Sequence, residues 1–273
     1  IDAGRKHSCA SVNGKGNDSG KEAVTMTLST PFPRLLNVGL SGVLVTFGSH
    51  LTEPANRAAL AFRACVDAAN ILGVRETSTS LTSTFVSFDL ALISNDALHE
   101  QLLDLLVQQD WGSAELPAQR RLWHIPTAFG GENGPQLAEV ANLTGLSIAA
   151  AIAKIEATPV RVLTIGFAPG QPYLGVLPER WDVPRQSALT SSVPEGALVT
   201  AIRQLIVFTA ETPTGWRHIG QTAFRGFRPE SDTPFALNPG DELQFAAISG
   251  GELDQIRMVD TSGNGGAEIK DIS

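Results

Sequence analysis

The period of the apolar positions changes along the chain and divides it into two differently built regions. Val43–Phe47 is a short β-rich run. Thr52-Glu53-Pro54 has the chemistry of a helix start: a hydroxyl N-cap, an acid in the first turn, and a proline where no N–H is needed. Ala58, Phe62, Cys65, Val66, Ala69 and Leu72 follow at helical spacing, and Gly73 is the expected stop. Strands are expected near Val74–Ser78 and over Phe85–Ile93. Asn95 is the expected cap of a second helix whose buried stripe is Leu98, Leu102, Leu105 and Leu106. Arg121–Ile125 reads as a closing strand. The order β-α-β-β-α-β predicts a ferredoxin-like α+β layer.

After Gly130-Gly131 the texture changes. Gly134–Gly145 and Ser147–Ala157 read as two short helices. From Val160 onward the chain is β-rich, with strands expected at Arg161–Ile165, Ala197–Phe208, Trp216–Ile219, Glu242–Ile248 and Gln255–Val259. Proline turns punctuate them. Ala168-Pro169-Gly170-Gln171 and Asn238-Pro239-Gly240-Asp241 have Pro at i+1 and Gly at i+2, the chemistry of a type II turn; Val193-Pro194-Glu195-Gly196 suits type I. Short strands joined this way predict a closed barrel or sandwich. The organisation expected is a flexible extension over 1–27, an α+β domain over 28–119, a β-barrel domain with two short helices over 120–250, and a last strand with a loose glycine-containing tail over 251–273.

Composition narrows the class. The 273 residues are 42% hydrophobic and 18% charged, which permits a packed core and excludes global disorder. The formal net charge of −8 argues against non-specific nucleic-acid binding, which needs a basic face. No apolar run approaches the roughly 18–20 residues of a membrane span. Cys9 and Cys65 make no disulfide framework and have no metal-ligand spacing around them, which fits a reducing, cytoplasmic setting with no metal expected. Ile1–Thr25 is polar and glycine-rich without the apolar stretch of a signal peptide, and Met26 is a candidate native start. Its GKGNDSGKE stretch fails as a phosphate loop: Gly16 and Gly20 are one residue too close, and Glu22 stands where a Ser or Thr should hold magnesium.

The candidate chemistry lies in the second region. Gly166, Phe167, Pro169 and Gly170 form a loop that shapes its own turn or walls a pocket, with Tyr173, the only tyrosine, beside it. Arg185 suits a bidentate carboxylate or phosphate, or else a surface ion pair. Gln204 lies in an apolar strand and needs a partner if it is buried. Trp216 is core, rim or pocket wall. Asp241 is placed to cap its own turn. His124 and His218 alternate with apolar neighbours, and neither shows a partner that would make it a general base. No catalytic residue is identifiable.

In order and spacing, GFAPGQPYLGVLP (Gly166–Pro178), VPR (Val183–Arg185), VPEGA (Val193–Ala197), PTGW (Pro213–Trp216), IGQT (Ile219–Thr222) and NPGDELQF (Asn238–Phe245) resemble the allophanate hydrolase subunit 1 family. That family includes the B subunit of 5-oxoprolinase and an inhibitor of a sporulation histidine kinase. FGGENGPQL (Phe129–Leu137), Asn56 and Phe47-Gly48 are similar to its earlier signatures. The resemblance spans about Pro33–Ile248. It implies an α+β domain followed by a cyclophilin-like barrel carrying a carboxyltransferase domain, ATP as cofactor, and a subunit 2 or C-type partner. The implied activity is ATP-dependent hydrolysis of a small anionic amide or lactam. The implied pocket comprises Gly166, Phe167, Pro169, Gly170, Tyr173, Arg185, Gln204 and Trp216, without nucleic acid or membrane. The alternative is a non-enzymatic regulator of a histidine kinase or another protein. The departures from the family pattern fall at polar or small positions: Leu81-Thr82-Ser83, Ile155, Gln171, Leu189-Thr190, the Ile202–Ile206 run that keeps only Gln204, and Gly220-Gln221-Thr222. This chain is therefore expected to be a divergent member.

Overall fold

The computed structural model describes residues 32–272. The expected extension over 1–27 and the candidate start at Met26 lie outside them.

The first lobe is a four-stranded antiparallel sheet backed by two helices. β1 (Arg34–Asn37), β2 (Gly42–Thr46), β3 (Val74–Thr79) and β4 (Ser83–Phe88) stand in the order β1-β2-β4-β3. α1 (Glu53–Ala69) and α2 (Asn95–Leu106) bury Ala58, Phe62, Val66, Leu98 and Leu102 against Val43, Val45, Val86 and Phe88. Thr52 caps α1 as the sequence predicts, its hydroxyl accepting from the Ala55 amide. Two boundaries shift. Asn70, not Gly73, takes the left-handed position after α1, and Ser94, not Asn95, caps α2. The ferredoxin-like reading needs correction at its last element. Its edge place is filled by β1, and the Arg121–Ile125 segment leaves this sheet altogether.

That segment opens the second lobe as β5 (Arg120–Phe129), a ten-residue strand. It pairs in parallel along its length with β13 (Glu242–Ile248). The pairing is pinned at its start. Buried Asp241 takes Arg121 Nη2 at 2.6 Å and the Arg121 and Asn238 amides at 3.0 and 2.9 Å. The turn before it is the expected one, with the Asp241 amide donating to Asn238 O and Gly240 at φ +99°. Asp241 thus caps its turn and also anchors the barrel.

Seven strands close the barrel as a mixed ring. From β13 it runs through β6 (Val160–Ile165), β7 (Pro172–Gly175), β10 (Gln204–Val207), β9 (Ala197–Ala201) and β12 (Arg217–Gln221), and so back to β5. Its interior is solid: Trp123, Ile125, Val162, Leu174, Leu198, Leu205, Val207, Ile219, Leu243 and Phe245 fill it. α3 (Leu137–Leu143) and α4 (Ile148–Glu156), the two short helices expected, add Leu137, Val140 and Ile155 to the same core. Outside β9 and β10 lies an antiparallel pair of β8 (Thr190–Val193) and β11 (Thr212–Thr214), and Val193 of β8 packs in a second small core with Val199, Ile206, Phe208 and Trp216.

Three readings of the β-rich region are corrected. Ala197–Phe208 is not one strand. It folds at Ile202-Arg203, where both residues take positive φ (44° and 63°), a primed hairpin turn without its usual Asn or Gly. Gln255–Val259 belongs to a helix, α5 (Gly250–Val259), begun by a Ser249/Glu252 capping box. The tail is not loose: β14 (Glu268–Ile272) pairs with the first half of β5. The Val193–Gly196 turn also closes one residue later, with the Ala197 amide donating to Pro194 O. No single described helix is long and apolar enough to cross a membrane.

The lobes are joined by buried polar contacts. Register between β6 and β7 slips at Leu163, whose carbonyl is left to a bulge. Asn56 of α1, fully buried, donates through Nδ2 to Leu163 O (3.0 Å) and to Leu81 O (2.9 Å). Arg161 reaches back to Asn56 Oδ1 and Glu53, and Thr164 donates to Thr79 O at 2.6 Å. Asn56→Leu would leave both carbonyls unpaired, at roughly 1–3 kcal/mol per buried group. The expected result is a loss of about 2 kcal/mol or more in urea denaturation, with new protease sensitivity in the 114–119 joint. A variant as stable and as resistant as wild type would show that the lobes do not depend on this amide.

Candidate functional site

A cleft of about 480 Å³ opens on the outer face of the barrel, beside the lobe junction. The barrel interior is filled with side chains, so the cleft lies outside it, beside the strand that carries Gln204. β7 and β10 form the floor, contributing Tyr173, Gln204 and Ile206. The Pro213–Trp216 segment forms a wall, with Arg185 and Leu189 packed against it at Gly215. Leu81 of the first lobe and Phe167 of the β6–β7 loop close the rim.

The structure therefore brings together Phe167, Tyr173, Arg185, Gln204 and Trp216. It does not bring Gly166, Pro169 or Gly170 into the lining. These residues shape the loop. The Gln171 amide donates to Ala168 O at 3.1 Å and Gly170 has φ +70°, so the predicted type II turn is present. A Cβ at Gly170 would sit 2.6 Å from Gly226 O, so this glycine permits close packing of two loops.

The polar side chains of the lining are Gln171, Tyr173, Arg185, Gln204 and Thr214, and Arg185 is the one charged group among them. Gln204 is 3% exposed and its Nε2 has no hydrogen-bond partner. Arg185 is exposed and has no acidic partner among the described residues. Burial raises the Tyr173 phenol above its ordinary value, opposed in part by the charge of Arg185 and a hydrogen bond with buried Gln171. Tyr173 is therefore a neutral phenol at neutral pH. Its ring packs edge-on to Trp216, with centroids 6.2 Å apart. No Asp, Glu, His, Cys, Ser or Lys lines the cleft among the described residues.

Arg185 projects from a backbone held on both sides, by residues that sequence reasoning passed over. Pro184 O accepts from the guanidinium of Arg217, which is itself paired with Glu139 at 2.8 Å. The Gln186 amide donates to Gly215 O, and its side-chain Nε2 donates to Trp216 O at 3.1 Å. Gln136 Nε2 donates to Gln186 Oε1 at 2.6 Å, and Gln136 Oε1 accepts from the His218 amide at 2.7 Å. Gln136, Glu139, Gln186 and Arg217 are separated by up to 81 positions in the chain, and only the closed barrel makes them neighbours. Two polar residues in VPRQ and GWRH that the turn chemistry leaves unexplained were the available signal.

His124 and His218 do not line the cleft. Burial pushes the His218 imidazole below its ordinary value, with the neighbouring Gly220 backbone and Gln221 side chain offsetting part of the shift. A histidine buried neutral contributes stability above its unfolded pKa of 6.5, and that contribution is lost as pH falls through the folded value. Wild type should lose stability below pH 6.5 more steeply than His218→Gln in denaturation series from pH 8 to 4.5. Parallel profiles would refute this. A second expectation concerns Gln204. An unpaired buried donor costs about 1–3 kcal/mol, so Gln204→Leu should be neutral or stabilising by about 1 kcal/mol in thermal melts. A clear destabilisation would show that the amide is paired.

The carboxyltransferase-domain family, subdomain C and D, matches residues 33–237. The 5-oxoprolinase B subunit of Bacillus subtilis is 30% identical over 222 residues, 78% of this chain and 91% of that protein. The 5-oxoprolinase B subunit of Escherichia coli O157:H7 is 38% identical over 140 residues, 51% of this chain and 64% of that protein. Among solved structures, TTHA0988 superposes with a TM-score of 0.65 at 29% identity, covering 77% of this chain and 40% of that one. The urea carboxylase of Kluyveromyces lactis shares the fold at 16% identity, with a TM-score of 0.68 over 87% of this chain and 24% of that one.

Proposed function

From the premise that this chain belongs to the carboxyltransferase subdomain C and D family, the family of the 5-oxoprolinase B subunits, we propose that it is the substrate-binding subunit of an ATP-dependent amide- or lactam-hydrolysing complex. The observation that carries the reading is the cleft's polarity: an exposed guanidinium without an acidic partner among the described residues faces a space whose lining contains no Asp, Glu, His, Cys, Ser or Lys. Such a site holds an anionic amide and orients it. It does not open it.

Hydrolysis of an unactivated amide needs an activated electrophile and a stabilised oxyanion, the latter commonly worth about 3 kcal/mol per placed donor. The Tyr173 hydroxyl is a donor of that kind. ATP would supply the activation, but the cleft does not fit a triphosphate, because it offers one unpaired cation and no glycine-rich backbone cradle. We therefore assign the nucleotide, and the groups that move protons, to a subunit 2 or C-type partner. The 5-oxoprolinase relatives are named as single subunits, and this chain spans 40% of TTHA0988. Both facts support a division of labour of this kind.

The purified chain should hydrolyse neither 5-oxoproline nor allophanate, with or without ATP. Turnover should appear on adding the partner, together with the further A-type subunit for 5-oxoproline. Arg185→Ala in that complex should raise KM by tenfold or more with the fold intact by circular dichroism. Robust turnover by the isolated chain would refute the reading. An inactive, correctly assembled complex beside tight binding to a histidine kinase would establish the regulator instead.

A further inference from the structure

The cleft's size and walls say more about its ligand than its family does. Resting on the reading of this cleft as the substrate site, we infer that it selects a monocarboxylate carrying a flat apolar body, well beyond a bare five-membered lactam in size.

Three observations carry this. The first is charge. The one charged group of the lining is the Arg185 guanidinium, which has no acidic partner among the described residues, and no Asp or Glu is present in the lining to accept from a cation. The ligand must therefore bring the acceptors. One guanidinium in a fixed fork suits one carboxylate, held bidentately.

The second is volume. At about 480 Å³ the cleft lies in the roughly 300–1,000 Å³ range that drug-sized molecules fill. A five-membered ring bound at Arg185 and Gln204 would leave most of it to water against apolar walls.

The third is the character of those walls. Beyond the donors the lining is aromatic and aliphatic: Trp216, Phe208, Ile206, Leu189, Ile202 and Leu81. The outermost of these stay in water in the free chain, with Leu189 65% and Ile202 47% exposed, and Phe167 at the rim is 79% exposed. Two of the exposed residues are held there by an unfavourable backbone. Phe167 has φ +69° and Ile202 has φ +44°, a region that β-branched and bulky residues rarely enter. Asn or Gly would relieve the turn at Ile202, so the isoleucine costs stability and faces the cleft. Strain of this sort is found where a side chain serves a ligand. Covering these side chains with an apolar body removes them from water, which is the favourable term a compact polar ligand would not supply.

The test is calorimetric titration of the full chain at pH 7.5, alone and with its partner subunit, without ATP. The probes are indole-3-acetate, 5-oxoproline and indole-3-acetamide. Indole-3-acetate should bind at least tenfold more tightly than 5-oxoproline, which has the charge without the body. It should also exceed indole-3-acetamide tenfold, which has the body without the charge. Arg185→Gln should erase the preference for acid over amide, and Ile202→Asn, which relaxes the turn, should erase the preference for the larger acid. Equal or tighter binding of 5-oxoproline, equal binding of the amide, or no binding of any probe would overturn the inference. These readouts need no turnover. An inactive complex with the binding preferences intact would sink only the hydrolase reading, and an active complex that prefers 5-oxoproline would sink only this one.

Discussion

A single buried side-chain amide governs how the two lobes meet. Asn56 has both Nδ2 hydrogens and its Oδ1 in use, on carbonyls from a turn of the first lobe and a bulge of the second and on the Arg161 guanidinium. Its satisfaction is geometric as well as energetic. An apolar contact of the same size would tolerate sliding, whereas three directed bonds fix the approach of α1 to β6. The bulge at Leu163 exists to be met: an unpaired strand carbonyl in the lobe junction is stable only with a donor across from it. Leu81, whose carbonyl is one of the two acceptors, also lines the cleft. The same lock that joins the lobes therefore sets one edge of the site.

Much of the frame was legible because it depends on local chemistry. The Thr52 cap, the first part of the α1 stripe through Val66, the paired short helices and the two Pro-Gly turns each need only a few adjacent residues and stand where the sequence puts them, whereas Ala69 and Leu72 at the end of that stripe are exposed. What was not legible depends on partners far away. Arg120–Phe129 has the strand pattern of either lobe, and only its parallel ladder with β13 and the Asp241 anchor decide for the barrel. The hairpin at Ile202-Arg203 carries no turn residue, because tertiary packing of β9 and β10 on both faces overrides the local preference. The α5 start does carry its capping box, but Gly250 and Gly251 between Ser249 and Glu252 conceal it from a propensity argument.

The site divides along the same line. Tyr173, Arg185, Gln204 and Trp216 could be singled out singly, as residues whose chemistry their neighbours did not explain. Their convergence on the outer face, and the bracing of Arg185 by Arg217, Glu139, Gln186 and Gln136, depends on closure of the barrel. Residues spread from the start of α3 to β12 can brace a single backbone segment only if the ring returns β12 to β5. Barrel closure is thus the step that turns a scatter of polar side chains into an oriented cation.

Where the frame is rigid and where it is strained tells how the work is divided. The head-binding end of the cleft is over-determined: Arg185 stands on a segment bonded on either side, and Gln204 is fixed between the ladders of β7 and β9. The rim carries exposed apolar side chains, and two of them, Phe167 and Ile202, sit on backbones that local preference disfavours. Preorganised donors at one end lower the cost of holding charge, because no reorganisation is needed when the ligand arrives. Apolar groups left in water at the other end carry a cost that only a covering surface removes. A chain built this way is poised for capture. Arg185 stands on a braced backbone, the described lining holds no carboxylate or imidazole, and the rim is apolar and open, so the cleft's own side chains favour holding a ligand's charge over moving its protons.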